Sequence, residues 1–143
     1  MEGAPRVGFG DAVKKAFGGY CDYKSRSRRS EYWFWVLFVF LVDVVLSIIG
    51  YVLASVTGVA SLSNLLSGIF GLVILIFSLP LAVRRLHDIG KSGWFLLLAL
   101  IPLVGAIILI YFYVQDSQRE QNQWGPSPKY GGNTDGFLPS ETV

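Results

Sequence analysis

The stretch Tyr32–Val56, which reads YWFWVLFVFLVDVVLSIIGYVLASV, decides the fold. A helix that crosses a bilayer needs ~20 apolar residues, so this run is long enough to span it. Its single charge, Asp43, costs ~2.5–3.5 kcal/mol at the centre of a spanning helix, whereas each Val, Leu, Ile or Phe returns ~0.3–0.6 kcal/mol. Twelve such residues lie between Val36 and Ile49. The balance therefore favours insertion into the membrane.

Two further apolar segments follow, LLSGIFGLVILIFSLPLAV at 65–83 and WFLLLALIPLVGAIILIYFYV at 94–114. We predict an all-α integral membrane protein with transmembrane helices at about 33–57, 65–83 and 94–114. The composition agrees, because 15% charged residues is well below the roughly 25% of soluble domains. That excludes a typical soluble enzyme and a disordered chain. A net charge of +2 is also too small to predict a nucleic-acid partner.

The polar ends of the chain flank this membrane domain of residues 32–114. In residues 1–31, apolar side chains between Phe9 and Tyr20 recur at helical spacing, which predicts an amphipathic helix lying in the membrane interface. A cap that packs on the cytoplasmic loops is the alternative. Residues 115–143 are rich in Gly, Pro, Ser, Asn and Gln, and we predict an irregular tail.

Basic residues indicate the topology. They are concentrated before the first span and between the second and third, at Lys14, Lys15, Lys24, Arg26, Arg28, Arg29, Arg84, Arg85 and Lys91. The positive-inside rule makes both regions, and hence the N-terminus, cytoplasmic. Three full spans would then place the tail outside. Pro102 and Gly105 interrupt the last segment, and a re-entrant hairpin there is the alternative, which returns the tail to the cytoplasm.

Small residues form one stripe on each of the first two spans. The stripes are Asp43, Ser47, Gly50, Ala54 and Gly58 on the first, and Asn64, Gly68, Gly71, Ser78 and Ala82 on the second. Small side chains let helices approach closely in lipid. We predict that the stripes face each other or a second copy of the chain. The alternative is that such residues are simply common in membrane helices.

Two polar constellations and one buried acid are the candidates for function. Arg26–Trp33 joins basic residues to an aromatic belt, and Arg84–Trp94 holds His87 beside Asp88. A lone His without a second His or Cys lacks ligands for zinc, so we expect no metal and no cofactor. We expect Arg84 and Arg85 to bind lipid phosphates or to pair with Glu31. Asp43 is either functional or a protonated acid bonded to a neighbouring helix.

The motifs resemble a known family. Three landmarks match in order, namely Arg26–Arg29–Glu31–Tyr32–Trp33, then Arg84–Arg85–Leu86–His87–Asp88–Gly90–Ser92–Gly93–Trp94, then Asn122–Gly125–Pro126–Pro128. They resemble the YhaH-type family of small bacterial inner-membrane proteins, a domain of unknown function numbered 805. Ser25 departs from the pattern, because the family usually has glycine there. The resemblance implies a multi-pass protein of the bacterial plasma membrane. It implies no reaction and no catalytic residue.

Three functional hypotheses follow. The first is a non-enzymatic module or adaptor that responds to lipid or envelope state, with anionic lipid headgroups as partners. The second is a transporter or channel subunit that uses Asp43 in a homo-oligomer or with another membrane protein. The third is an enzyme on lipid headgroups that uses His87 and Asp88. It is the weakest, because the sequence offers no nucleophile–base set.

Overall fold

The computed structural model describes residues 7–130, and every element within them is helical. The elements are α1 (Phe9–Gly18), α2 (Arg29–Thr57), α3 (Ser61–Asp88), a 3-10 helix (Gly93–Leu100) and α4 (Val104–Val114). The predicted all-α membrane class is confirmed. Residues 131–143 of the predicted irregular tail lie outside the described residues.

Helices α2 and α3 form a long antiparallel hairpin. Their 29 and 28 residues rise about 43 Å and 42 Å, which exceeds the ~30 Å of a bilayer core. An 18-residue stretch of each helix has a mean hydropathy of 2.7 or 2.5, yet only 6% and 11% of these stretches are buried inside the protein. A core helix of a soluble protein would be mostly buried. These apolar surfaces therefore face lipid.

The two helices are joined at both ends of the hairpin. Near their polar end, the indole Nε1 of Trp35 donates to Ser78 Oγ at 2.9 Å. Near the connecting loop, a Cβ added to Gly50 would lie 2.9 Å from the Cα of Ser63. Only glycine lets the backbones approach so closely.

Only part of each small-residue stripe lies in this contact. Gly50 packs on α3 and Ser78 bonds to α2, but a Cβ added to Gly68 or Gly71 would meet nothing within 4 Å. Asp43 and Ser47 are also exposed. The prediction that the stripes face each other therefore holds at particular positions and not along their length.

The third apolar segment does not form the predicted third span. It breaks into the 3-10 helix and α4, with Leu103 between them at a φ of +65°. The 11 residues of α4 rise only about 16 Å, too short to cross the bilayer core. The carbonyl of Val114, the last residue of α4, accepts from Arg29 at the start of α2. The segment therefore enters and leaves at the same end of the bundle, which is the re-entrant alternative.

Local chemistry explains the break. Pro102 has no N–H to continue a helix. The two legs of the hairpin then touch at Gly105, where an added Cβ would lie 1.6 Å from the carbonyl oxygen of Leu98. A side chain of any size at Gly105 would force the legs apart. An apolar run of 21 residues thus becomes a hairpin because of Pro102, Leu103 and Gly105 near its middle.

The predicted amphipathic helix forms as α1, and it packs on the halves of α2 and α3 that lie nearest the polar end of the bundle. Its own residues Ala12 and Ala16 are buried in this contact. Phe17 makes edge-to-face contacts with Trp35, Phe38 and Phe77, at centroid distances of 4.9 to 5.8 Å. Such aromatic pairs add about 0.5–1.5 kcal/mol each beyond the burial of their area. Lys14 points away from this contact and is exposed.

Candidate functional site: a polar clasp at one end of the bundle

Asp88, in the last turn of α3, is the centre of a buried ionic cluster. Its Oδ1 lies 3.2 Å from Nη2 of Arg26, and its Oδ2 lies 2.8 Å from Nη1 of Arg85. The hydroxyl of Ser117 donates to the same Oδ2. The side chains of Arg85 and Asp88 are 0% exposed, and that of Arg26 is 1% exposed. We call the cluster of Arg26, Arg85, Asp88 and Ser117, with the segment 115–125 that it holds, the polar clasp.

Arg26 holds the C-terminal segment through its backbone. Its guanidinium donates to the carbonyls of Gln118, Glu120 and Gly125, at 2.8 to 3.0 Å, and to that of Asp88 at 3.1 Å. Burial lowers the pKa of Arg26, and the Asp88 carboxylate partly opposes this effect. Arginine stays protonated in proteins. One guanidinium therefore joins the segment before α2 to the end of α3 and to residues 118–125.

Side chains from α2 and α3 capture the end of α4. Arg85 and the Trp33 indole both donate to the Tyr113 carbonyl, at 3.1 to 3.3 Å, and Arg29 donates to the Val114 carbonyl at 3.1 Å. Arg85 also donates to the carbonyl of Gln115. The last carbonyls of a helix lack intrahelical partners and carry partial negative charge. These donors therefore explain why α4 returns to this end of the bundle.

His87 and Asp88 face different partners. His87 Nδ1 lies 3.2 Å from the carbonyl oxygen of Ser25, so Nδ1 carries the proton. Its ring stacks on Trp124 at 4.2 Å and 6°, and Asn122 donates to its backbone carbonyl at 2.9 Å. The two residues form no acid–base dyad. The hypothesis of a headgroup enzyme gains no support from this geometry.

Two predicted pairings are wrong. Glu31 is paired with Lys15 at 3.2 Å, and neither Arg84 nor Arg85 reaches it. Arg84 instead lies 3.6 Å from Asp22, against the backbone of Gly19. Arg84 and Arg85 are both buried, so neither presents its charge to lipid headgroups as the sequence led us to expect.

The remaining predicted residues shape the site. Ser92 accepts from the amide of Trp94 and caps the 3-10 helix. Gly93 lies against Val83, and an added Cβ would be 2.9 Å from that side chain. Tyr32 packs on Tyr113 with ring centroids 4.4 Å apart. Trp94 is exposed, as expected for a residue of the aromatic belt.

Asp43 lies apart from the clasp. It is exposed on α2, and no residue in the range 7–130 donates a hydrogen bond to it. The intramembrane acid is therefore not bonded to α3, and the described chain supplies no partner for it.

Several residues that complete the site have no recognisable signal in the sequence. Ser117 and Gln118 lie in a polar tail without a motif, and Asp116 bonds to Lys129 and Tyr130 at 2.7 Å. Burial of Asp116 raises its pKa, but the hydrogen bonds from Lys129, Tyr130 and the Ser117 amide outweigh that effect and lower it to about 2. These contacts fold back residues that composition alone predicts to be irregular.

Comparison with known proteins matches residues 20–126 to the family described as "Protein of unknown function (DUF805)". The chain belongs to the DUF805 family. It is 33% identical over 123 residues to the inner membrane protein YhaH of Escherichia coli K12, covering 83% of this chain and 97% of that protein. It is 32% identical over 114 residues to the inner membrane protein YhaI of the same strain, covering 80% and 92%. No solved structure matches the chain.

The DUF805 match begins at Tyr20 and ends at Pro126, so it contains the whole polar clasp and the three helices that carry it. The three motifs that resemble the family meet at this one end. The clasp is chemically closed, since each carboxylate oxygen and most guanidinium nitrogens already have partners. It holds together the segment before α2, the last turn of α3 and the segment after α4.

Proposed function

We propose that this DUF805 protein is a non-enzymatic plasma-membrane module whose basic end binds anionic lipid headgroups and so responds to the lipid composition of one leaflet. One observation carries the proposal. Five cations on α1, on residues 24–29 and on the segment after α4 are exposed, namely Lys14, Lys15, Lys24, Arg29 and Arg119. We call this set the basic ring.

The basic ring is available in a way that the buried arginines are not. The side chain of Lys15 is 56% exposed even while it pairs with Glu31. A basic residue near an anionic surface contributes about 1 kcal/mol to binding. Several such residues on one end of the bundle are enough to enrich anionic lipids around the protein.

The orientation is part of the proposal. The positive-inside rule favours a cytoplasmic basic ring, and the return of α4 to that end puts residues 115–130 on the same side. We therefore expect both ends of the membrane domain in the cytoplasm. Fusions of a reporter that fluoresces only in the cytoplasm should be active after Val143 and before Met1. Activity of a periplasm-specific phosphatase after Val143 would contradict the re-entrant topology.

The lipid test uses purified protein in nanodiscs that contain phosphatidylcholine with a minority of phosphatidylglycerol. We expect phosphatidylglycerol to be enriched next to the protein at 0.1 M salt. The enrichment should fall at 1 M salt, where the Debye length drops from about 10 Å to 3 Å. Changing Lys14, Lys24 and Arg119 to Gln should reduce it. The matched control exchanges Lys14 and Lys24 for Arg, which keeps the charge. A wild-type protein without any preference for phosphatidylglycerol would refute the proposed function.

A second candidate function is that of an oligomeric transporter or channel subunit, and the exposure of Asp43 favours it. A carboxyl at bilayer depth without a partner is costly, and a neighbouring chain could supply a hydrogen bond. Cysteines at Ser47, one turn from Asp43, should then crosslink in membranes, and Asp43→Leu should weaken crosslinking while Asp43→Asn retains it. Equal crosslinking in all three proteins, or none in the wild type, would exclude a role for Asp43 in assembly.

A further inference from the structure

A lateral groove opens between α2 and α3 just inside the polar clasp. It has a volume of about 210 Å³, is open at the side, and is lined by Tyr32, Val36 and Val39 of α2 and by Leu79 and Ala82 of α3. The bond between Trp35 and Ser78 satisfies the polar groups beside it. The groove is therefore apolar, and within the membrane its mouth faces lipid chains.

Helix α1 does not close this groove. Its Phe17 contacts Trp35, which lines one wall of the groove, and its other aromatic contacts with α2 are to Phe34 and Phe38. Val36, on the groove side, is exposed. The groove therefore stays open on the side of Val36.

Arg29 stands above the groove on the same face of α2. Residues seven apart lie on one face of a helix, so Arg29, Val36 and Asp43 are aligned. At 1.5 Å per residue, Val36 lies about 10 Å and Asp43 about 21 Å below Arg29 along the axis. With Tyr32 and Trp33 marking the membrane interface, the groove lies at the depth of the acyl chains and Arg29 at the depth of the phosphates.

Arg29 keeps binding capacity. Its Nη1 donates to the Val114 carbonyl, and its side chain is exposed. Within residues 7–130 no carboxylate lies within ion-pair distance of Arg29, whereas Arg26, Arg84 and Arg85 each pair with an aspartate. An arginine fork with free donors suits the oxygens of a phosphate.

We propose that this groove is a specific site for one anionic phospholipid, with its phosphate on Arg29 and an acyl chain between Val36, Val39 and Leu79. The site rests on the proposed function and sharpens it, because it separates one ordered lipid from the general attraction of the basic ring. The charge of Arg29 selects the headgroup, and the shape of the groove retains the chain.

The test counts phosphatidylglycerol molecules that remain bound to detergent-purified protein by native mass spectrometry. Arg29→Gln should reduce the occupancy of the first bound lipid about fivefold, since one basic residue at the surface is worth about 1 kcal/mol. Val36→Trp should reduce it by filling the groove, whereas Leu37→Trp, on the neighbouring lipid-facing surface, should not. Arg29→Lys should restore much of the binding, and Lys24→Gln measures the effect of losing one exposed charge of the basic ring outside the groove.

Coupling between the two halves of the site decides the outcome. If Arg29 and the groove hold the same lipid, Arg29→Gln should have no further effect in the Val36→Trp protein, whereas Lys24→Gln should have the same effect in both backgrounds. Independent effects of Arg29 and Val36 would overturn the site. The site would also be overturned if the Val36→Trp protein lost self-association and kept its lipid, because the groove would then be a contact between two copies of the chain. If Val36→Trp does not fold, Val36→Phe serves instead.

The proposed function can survive that failure. A protein that enriches phosphatidylglycerol in nanodiscs but shows no coupling would retain the basic ring and lose the specific site. A protein with no enrichment would lose both.

Discussion

Substitution of Asp88 by Asn is the sharpest test of the polar clasp. Asn keeps the shape of the side chain and removes its charge, which leaves Arg26 and Arg85 buried without a counterion. One carboxylate oxygen also becomes an NH₂ group that faces guanidinium donors. The variant therefore tests the charge of Asp88 and not its volume.

The expected loss follows from the burial of the three partners. Breaking a fully buried ion pair by removing one partner costs about 3–5 kcal/mol, because the remaining charge stays desolvated. Here one carboxylate serves two arginines that are 1% and 0% exposed, so we expect a value at the upper end. At about 3 °C per kcal/mol for a chain of this size, the melting temperature in detergent should fall by roughly 10–15 °C.

Two measurements and one control make the result decisive. Melting is followed by size-exclusion chromatography after heating, and release of the C-terminal segment is followed by proteolysis after Arg119. The control is Asp116→Asn, which removes an exposed pair with Lys129, a type of pair worth about 0–1 kcal/mol. The account of the clasp fails if Asp88→Asn and Asp116→Asn melt within 2 °C of each other and are cleaved at the same rate.

Two further predictions concern the hairpin and the tail. Gly105→Ala should open the contact with Leu98, because an added Cβ would lie 1.6 Å from the Leu98 carbonyl oxygen. We expect the melting temperature to fall by more than about 5 °C, whereas Gly68→Ala, which has open space around it, should change it by less than about 1–2 °C. Equal stability of the two variants would contradict the packing of the hairpin. The pKa of Asp116, followed by ¹³C NMR, should be about 2. Because this pKa is lowered in the folded protein, the attachment of residues 129 and 130 that Asp116 stabilises is complete above pH 4 and is lost as the pH falls through about 2. Lys129→Gln should move the midpoint up towards the ordinary pKa of 3.8.

Much of the membrane domain could be predicted because its signals are local. The run from Tyr32 to Val56 is apolar enough to favour insertion without any other segment, and the apolar stripe of α1 lies within ten residues. The three motifs that form the clasp could also be picked out before any contact was known. Each of these conclusions depends on residue type and spacing, which the sequence displays directly.

The partners within the site could not be predicted for the same reason. Arg26 bonds to residues 62 to 99 positions away, most of them through backbone carbonyls. A carbonyl has no sequence signature, because every residue carries one. The expected pairing of Arg84 and Arg85 with Glu31 was wrong, because opposite charges are numerous and the helix register that selects among them is a tertiary property.

By itself the sequence determined that the chain is a helical membrane protein, which end of each helix is basic, and which motifs resemble a family. These are consequences of transfer energies and charge counts that add residue by residue. Only the tertiary structure decided that residues 94–114 turn back, because a hairpin and a third span have the same composition. The difference lies in whether Arg29, Trp33 and Arg85 are near enough to satisfy the last carbonyls of α4, and that is settled by how α2 and α3 pack.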